Sequence, residues 1–93
     1  MQKRLKENKF NDILNALYDM ISYAIVGKSY PKTTVFNING FIVTTTYNYS
    51  YKNNELQAEY HVDVEDTITD YTEHLNFSDT DSYFGYIKLL SET

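Results

Sequence analysis

The sequence predicts a two-layer α+β domain. A three-stranded antiparallel β-meander packs on an N-terminal helix, with one or two short C-terminal helices, in the order α-β-β-β-α-α. Three observations carry this expectation. Residues 9–26 repeat apolar groups at helical spacing, Asn39-Gly40 sits between two alternating runs, and a second turn signal, Asn53-Asn54, yields the same buried face. With 93 residues the chain makes one domain, 1–93, in which residues 1–8 read as an extension of the helix or a mobile basic arm.

Phe10, Ile13, Leu14, Leu17, Met20, Ile21, Ala24 and Ile25 follow the i, i+3, i+4, i+7 pattern of an amphipathic helix. Gly27 is placed to cap it, Lys28 suits the negative helix end, and Pro31 forbids continuation.

"TTVFNI", "NG" and "FIVTTTYNYSY" form the clearest hairpin signal, because Asn-Gly supplies the two positive φ angles of a type I′ turn. A two-residue loop pairs Ile38 with Phe41, Phe36 with Val43 and Thr34 with Thr45. A turn at Asn53-Asn54 sets Lys52 against Glu55, Tyr49 against Ala58, Tyr47 against Tyr60, Thr45 against Val62 and Val43 against Val64. Both turns put their apolar pairs on one face, and that agreement supports the register. The other face takes Ile42, Thr44, Thr46, Asn48, Ser50, Gln57, Glu59, His61, Asp63 and Glu65 and is expected to be wet.

Residues 66–76 read as a short helix capped by Asp66 or Thr67, with Ile68, Tyr71 and Leu75 inward; their threonines favour a strand. A last helix is expected from Ser78 or Asp79, with Tyr83, Phe84, Ile87 and Leu90 on one stripe and Gly85 inside.

Composition narrows the function. The chain has no cysteine, so disulfides, thiolate metal sites and a cysteine nucleophile are excluded. No run approaches a membrane span and no apolar core follows the basic start, so neither a membrane anchor nor a signal peptide is expected, and the cytoplasm is the expected location. The net charge of −5 is unevenly placed: residues 1–52 carry seven basic and three acidic groups, whereas residues 53–93 carry Lys88 against ten acids. From Asn53 to Ile87 there is no lysine or arginine. Such a field repels nucleic acid and membranes and attracts basic proteins.

Site chemistry is sparse. His61, Asp63 and Glu65 share a strand face but stand about 6.6 Å and 13 Å apart, too far to converge on one ion. "DTDSYFGY" opens like a calcium loop, yet Phe84 stands where glycine is needed and Leu90 where glutamate is needed. No nucleophile elbow, phosphate loop or dinucleotide fingerprint is present. No enzyme activity, metal or cofactor is therefore expected. The element order is also that of double-stranded-RNA-binding domains, but "NFSDTDSYF" offers no positive charge where those domains contact phosphate. Lys3, Arg4, Lys6 and Lys9 form the one basic cluster.

The acids remain: Glu55, Glu59, Asp63 and Glu65, continued by Asp66, Asp70, Glu73, Asp79 and Asp81. One reading is a solubilising surface. The sharper one is a contact surface in which carboxylates occupy the places of phosphates. The spacing of about 6.6 Å along the strand is close to two base-pair rises of about 3.4 Å.

In size, element order and charge layout the chain resembles small acidic phage-encoded inhibitors of bacterial immunity, the anti-CRISPR proteins that block nucleases of the Cas9 type. Several of these place aspartate and glutamate over the basic groove that reads the target duplex. The resemblance implies a nuclease partner in a bacterial host cytoplasm, with arginines that read the short flanking DNA motif facing Glu59, Asp63, Glu65, Asp66, Asp70 and Glu73. The alternative is a small accessory phage protein that self-associates, as a homodimer for example, through its sheet edge or Tyr-rich end.

Overall fold

The computed structural model describes residues 8–30 and 32–92. Within them the order is α1 (Phe10–Ile25), β1 (Thr33–Ile38), β2 (Phe41–Lys52), β3 (Glu55–Asp66), β4 (Tyr71–Phe77) and α2 (Thr80–Ser91). The protein is α+β, with one antiparallel sheet in the order β1-β2-β3-β4.

Helix α1 forms for the expected reasons. Ile13, Leu17 and Met20 are its buried stripe. Gly27 takes φ 75°, and the amides of Gly27 and Lys28 donate to the carbonyls of Ala24 and Tyr23, at 3.3 and 2.8 Å. This is a Schellman closure, which a left-handed residue after the last helical turn permits. The basic residues Lys3, Arg4 and Lys6 lie outside the described residues.

Both two-residue turns are present. Asn39 and Gly40 have φ 50° and 83°, Asn53 and Asn54 φ 52° and 64°. The register follows: Phe36 opposes Val43, Thr45 opposes Val62, Tyr47 opposes Tyr60 and Lys52 opposes Glu55.

The sheet has four strands rather than three, and a single helix follows it. Residues 66–76 do not form the expected helix. Asp66 Oδ1 accepts from the Ile68 amide at 2.9 Å, and the Asp70 amide donates to the Asp66 carbonyl at 2.8 Å. Asp70 then turns the chain at φ 59°. Tyr71–Phe77 runs back along β3, pairing Tyr71 with Asp66, His74 with Asp63 and Phe77 with Tyr60. The Ile68, Tyr71, Leu75 spacing that suggested a helix is coincidental: Ile68 is 90% exposed at the turn. Of the three threonines only Thr72 falls in β4, Thr67 and Thr69 lying in the turn; the strand forms because pairing with β3 satisfies its backbone and packs Leu75 and Phe77 against the core.

Both helices cover one face of the sheet. Phe36, Ile38, Val43, Tyr47, Tyr49, Ala58, Tyr60, Val62 and Val64 meet Ile13, Leu17 and Met20 of α1 and Tyr83, Ile87 and Leu90 of α2 in one core. Asp79 caps α2, accepting from the Ser82 amide at 2.7 Å. The core is unusually rich in hydroxyls. Thr45, fully buried, shares a hydrogen bond with Tyr83 at 2.9 Å; Thr34 does so with Tyr47 at 2.6 Å, and Tyr49 donates to Tyr60 at 3.1 Å. Each buried hydroxyl thereby keeps a partner, without which burial would cost free energy.

Candidate functional site on the open sheet face

Alternation decides which side chains reach the uncovered face. Since Tyr60, Val62 and Val64 are buried in the core, Glu55, Gln57, Glu59, His61, Asp63 and Glu65 stand on the opposite side of β3. Register adds their neighbours. Asn48 lies beside Glu59, Thr46 beside His61, Thr44 beside Asp63 and Ile42 beside Glu65 on β2. On β4, Asn76 lies beside His61, His74 beside Asp63 and Thr72 beside Glu65.

The carboxylates therefore form a column along β3 flanked by neutral or imidazole side chains, except at its hairpin end, where Lys52 lies beside Glu55. Among the described residues no lysine or arginine pairs with an acid; the ion-pair contacts join Asp63 to His74 and His61. His74 Nδ1 donates to Asp63 Oδ1 at 2.5 Å. His61 Nδ1 donates to Asn76 Oδ1 at 2.7 Å, and its Nε2 lies 3.6 Å from Asp63 Oδ1. Asn48 Nδ2 approaches Glu59 Oε2 at 3.5 Å. Among the described residues no group of three or more acidic, histidine or cysteine side chains could hold a metal ion.

The nine acids singled out from the sequence separate into groups. Glu55, Glu59, Asp63 and Glu65 share the open face. Asp66 and Asp70 build the β3–β4 turn. Glu73 is placed with Leu75 and Phe77 on the helix side, where its charge joins burial, the larger cause, in raising the pKa of Tyr86. Asp79 is engaged as the α2 cap. The Ser82 amide and then the Ser82 hydroxyl hold its carboxyl below the usual range. Asp81 sits exposed in the first turn of α2.

Sequence reasoning did not bring His74, Asn76 or Ser78 to this face, because their placement depends on β4. The alternation Tyr71, Glu73, Leu75, Phe77 was the signal that could have found them. Asn76 and Ser78, together with β2 and β3, shape a hollow of about 390 Å³ whose lining includes Thr46, Asn48, Glu59 and His61.

Comparison of the chain with protein-family models, curated proteins and solved structures gives no match. No helix among the described residues is long and apolar enough to cross a membrane.

Proposed function

We propose that this is a non-enzymatic binding protein that sets the open face of its sheet against a basic, nucleic-acid-binding surface of a partner protein. The charge layout calls for a basic partner, and the resemblance to anti-CRISPR proteins implies that it is a bacterial defence nuclease, blocked where its DNA would lie. The observation that carries the reading is the column of Glu55, Glu59, Asp63 and Glu65 on a face that neither helix covers, met among the described residues only by Lys52 beside Glu55 and by the imidazoles of His61 and His74 at Asp63. A one-sided arrangement of like charge costs stability through repulsion, and complementary charge on a partner relieves it.

The test is competition. A guide-loaded nuclease of the Cas9 type is titrated with the protein in the presence of labelled duplex DNA. The expected result is displacement of DNA that weakens with salt and is lost in the Glu59→Lys, Asp63→Lys, Glu65→Lys triple variant. A folded triple variant that competes as well as the parent rules out the acidic face. Failure of the parent to compete rules out this partner class.

A second reading rests on β4. It ends the sheet, and its seven residues include no proline, lysine or arginine, the residues that commonly blunt an exposed edge. Self-association through that edge predicts a dimer in light scattering that is indifferent to the triple charge reversal.

A further inference from the structure

We propose that the hollow beside Glu59 is a receptor slot for one arginine side chain of the partner. This inference rests on the acidic-face reading and names its anchoring contact. Two cross-strand rows make the walls. One is Thr46, His61 and Asn76; the other is Asn48 and Glu59, continued by Ser78 just past the end of β4. The rows are two residues apart along the strands, so they stand about 6.7 Å from each other. That is close to twice the ~3.5 Å of a non-bonded contact, room for one planar group stood on edge.

The chemistry of the walls selects a cation of that shape. Glu59 is the slot's only carboxylate, and the hydrogen bond it accepts from the Asn48 amide is long, at 3.5 Å. The hydroxyls of Thr46 and Ser78 are further acceptors beside it. His61 Nδ1 is already committed to Asn76, which holds that wall in place. No lysine or arginine lines the slot, so no permanent cation opposes an entering positive charge. The aromatic residues of its floor offer no platform for a base or a sugar. Tyr60 directs its hydroxyl to Thr80, and the Phe77 ring packs on Tyr83 and Tyr86, all on the covered side.

A guanidinium is planar, weakly hydrated and able to make paired hydrogen bonds to a carboxylate. An ammonium lacks that shape. A second hollow of about 180 Å³ shares Asn48, Glu59 and Ser78 and continues along β3 past Gln57 and Ser50. It extends the slot in the direction from which the partner's neighbouring chain can lie.

The experiment uses N-acetyl-arginine methylamide and its lysine and citrulline counterparts, titrated into the full chain and followed by amide NMR. Deca-lysine serves as a probe of the whole acidic face. The arginine probe is expected to shift the side-chain amides of Asn48 and Asn76 and the His61 ring. The lysine probe should bind about threefold more weakly or worse, and uncharged citrulline should leave the spectrum unchanged. Glu59→Gln should weaken arginine binding about tenfold, whereas Glu65→Gln, on the same face outside the slot, should leave it intact. Equal binding of arginine and lysine, or equal effects of the two substitutions, overturns the slot and leaves the acidic face standing. So does a spectrum that answers deca-lysine along β3 but not the arginine probe. A spectrum that answers neither overturns both readings.

Discussion

Tyr60 and Tyr83 lie ring on ring, their centroids 4.2 Å apart and their planes within 4° of parallel. One belongs to β3 and the other to α2, so this contact binds the final helix to the sheet. Tyr47 meets both rings edge-on, at 5.7 and 6.1 Å, which is the geometry that ring quadrupoles favour. The Tyr83 hydroxyl completes the arrangement by bridging Thr45 at 2.9 Å and Tyr47 at 3.3 Å.

Two substitutions at Tyr83 separate the stack from the hydroxyl. Tyr83→Phe keeps the ring and leaves the buried Thr45 hydroxyl without this partner; the expected loss is about 1–3 kcal/mol. Tyr83→Ala removes the ring as well and should cost about 3–5 kcal/mol. Urea unfolding measures both. Equal losses would mean that the ring contributes nothing beyond its hydroxyl.

Alkaline pH should unfold the protein early. Burial, the largest cause in each case, raises the pKa of Tyr47, Tyr49, Tyr60 and Tyr83 above the ordinary value. The folded state therefore keeps protons that the unfolded chain releases above about pH 10. The stability these groups contribute is full below that pH and falls as pH rises through and beyond it. Unfolding midpoints measured from pH 8 to about pH 11 should drop steeply at the upper end. A flat profile would show that these hydroxyls ionise as freely folded as unfolded.

Tyr30 and Tyr49 make a substitute strand pair. Continuing the β1–β2 register would set the two opposite each other, yet β1 begins only at Thr33. The Tyr30 hydroxyl takes the missing place, accepting from the Tyr49 amide at 3.0 Å and donating to the Tyr49 carbonyl at 3.3 Å. Tyr30→Phe should cost about 1–2 kcal/mol and speed hydrogen exchange at the Tyr49 amide selectively. Unchanged exchange there would refute this role.

Asn39 has two tasks that one variant can divide. Its φ of 50° builds the first hairpin turn, and its side-chain amide donates to the carbonyls of Leu90 and Ser91 at 2.9 and 3.0 Å. Asn39→Gly keeps the turn and removes the clamp on the end of α2. The expected loss is about 1 kcal/mol, with faster exchange in the last turn of α2. Asn39→Ala should lose more, because alanine resists the left-handed region.

Much of the sheet was legible because two turn signals and one alternation had to agree. Asn39-Gly40 and Asn53-Asn54 set every β1–β2 and β2–β3 pair, from Phe36 and Val43 to Lys52 and Glu55. The turn at 67–70 was not legible. It uses no glycine, places Asp70 at positive φ, and depends on the Asp66 side chain to gather the amides of Ile68 and Thr69. It also leans on its neighbour, since the Thr67 hydroxyl donates to the Gly40 carbonyl at 2.7 Å, a contact between turns far apart in sequence. The functional face divides the same way. Glu59, Asp63 and Glu65 were visible in the alternation of β3. The His74–Asp63 pair and the Asn76 wall exist only once β4 is in place.

The hydroxyl-rich core also constrains how this protein can change over generations. Losing Tyr83's hydroxyl alone takes from Thr45 its closest hydroxyl partner, and losing Thr45's alone leaves Tyr83 only the longer contact with Tyr47 at 3.3 Å. Replacing the two together by valine and phenylalanine leaves nothing unsatisfied between them and is expected to be close to neutral. Thr34 is coupled to Tyr47 and Thr80 to Tyr60 in the same way, and each of these tyrosines carries the coupling on to a second one, Tyr83 and Tyr49. Substitutions at these sites are epistatic: each first step is penalised and each second step is rewarded. Diverging lineages should therefore gain or lose these residues as couples, leaving a covariation between strands and helix that traces the inside of the fold.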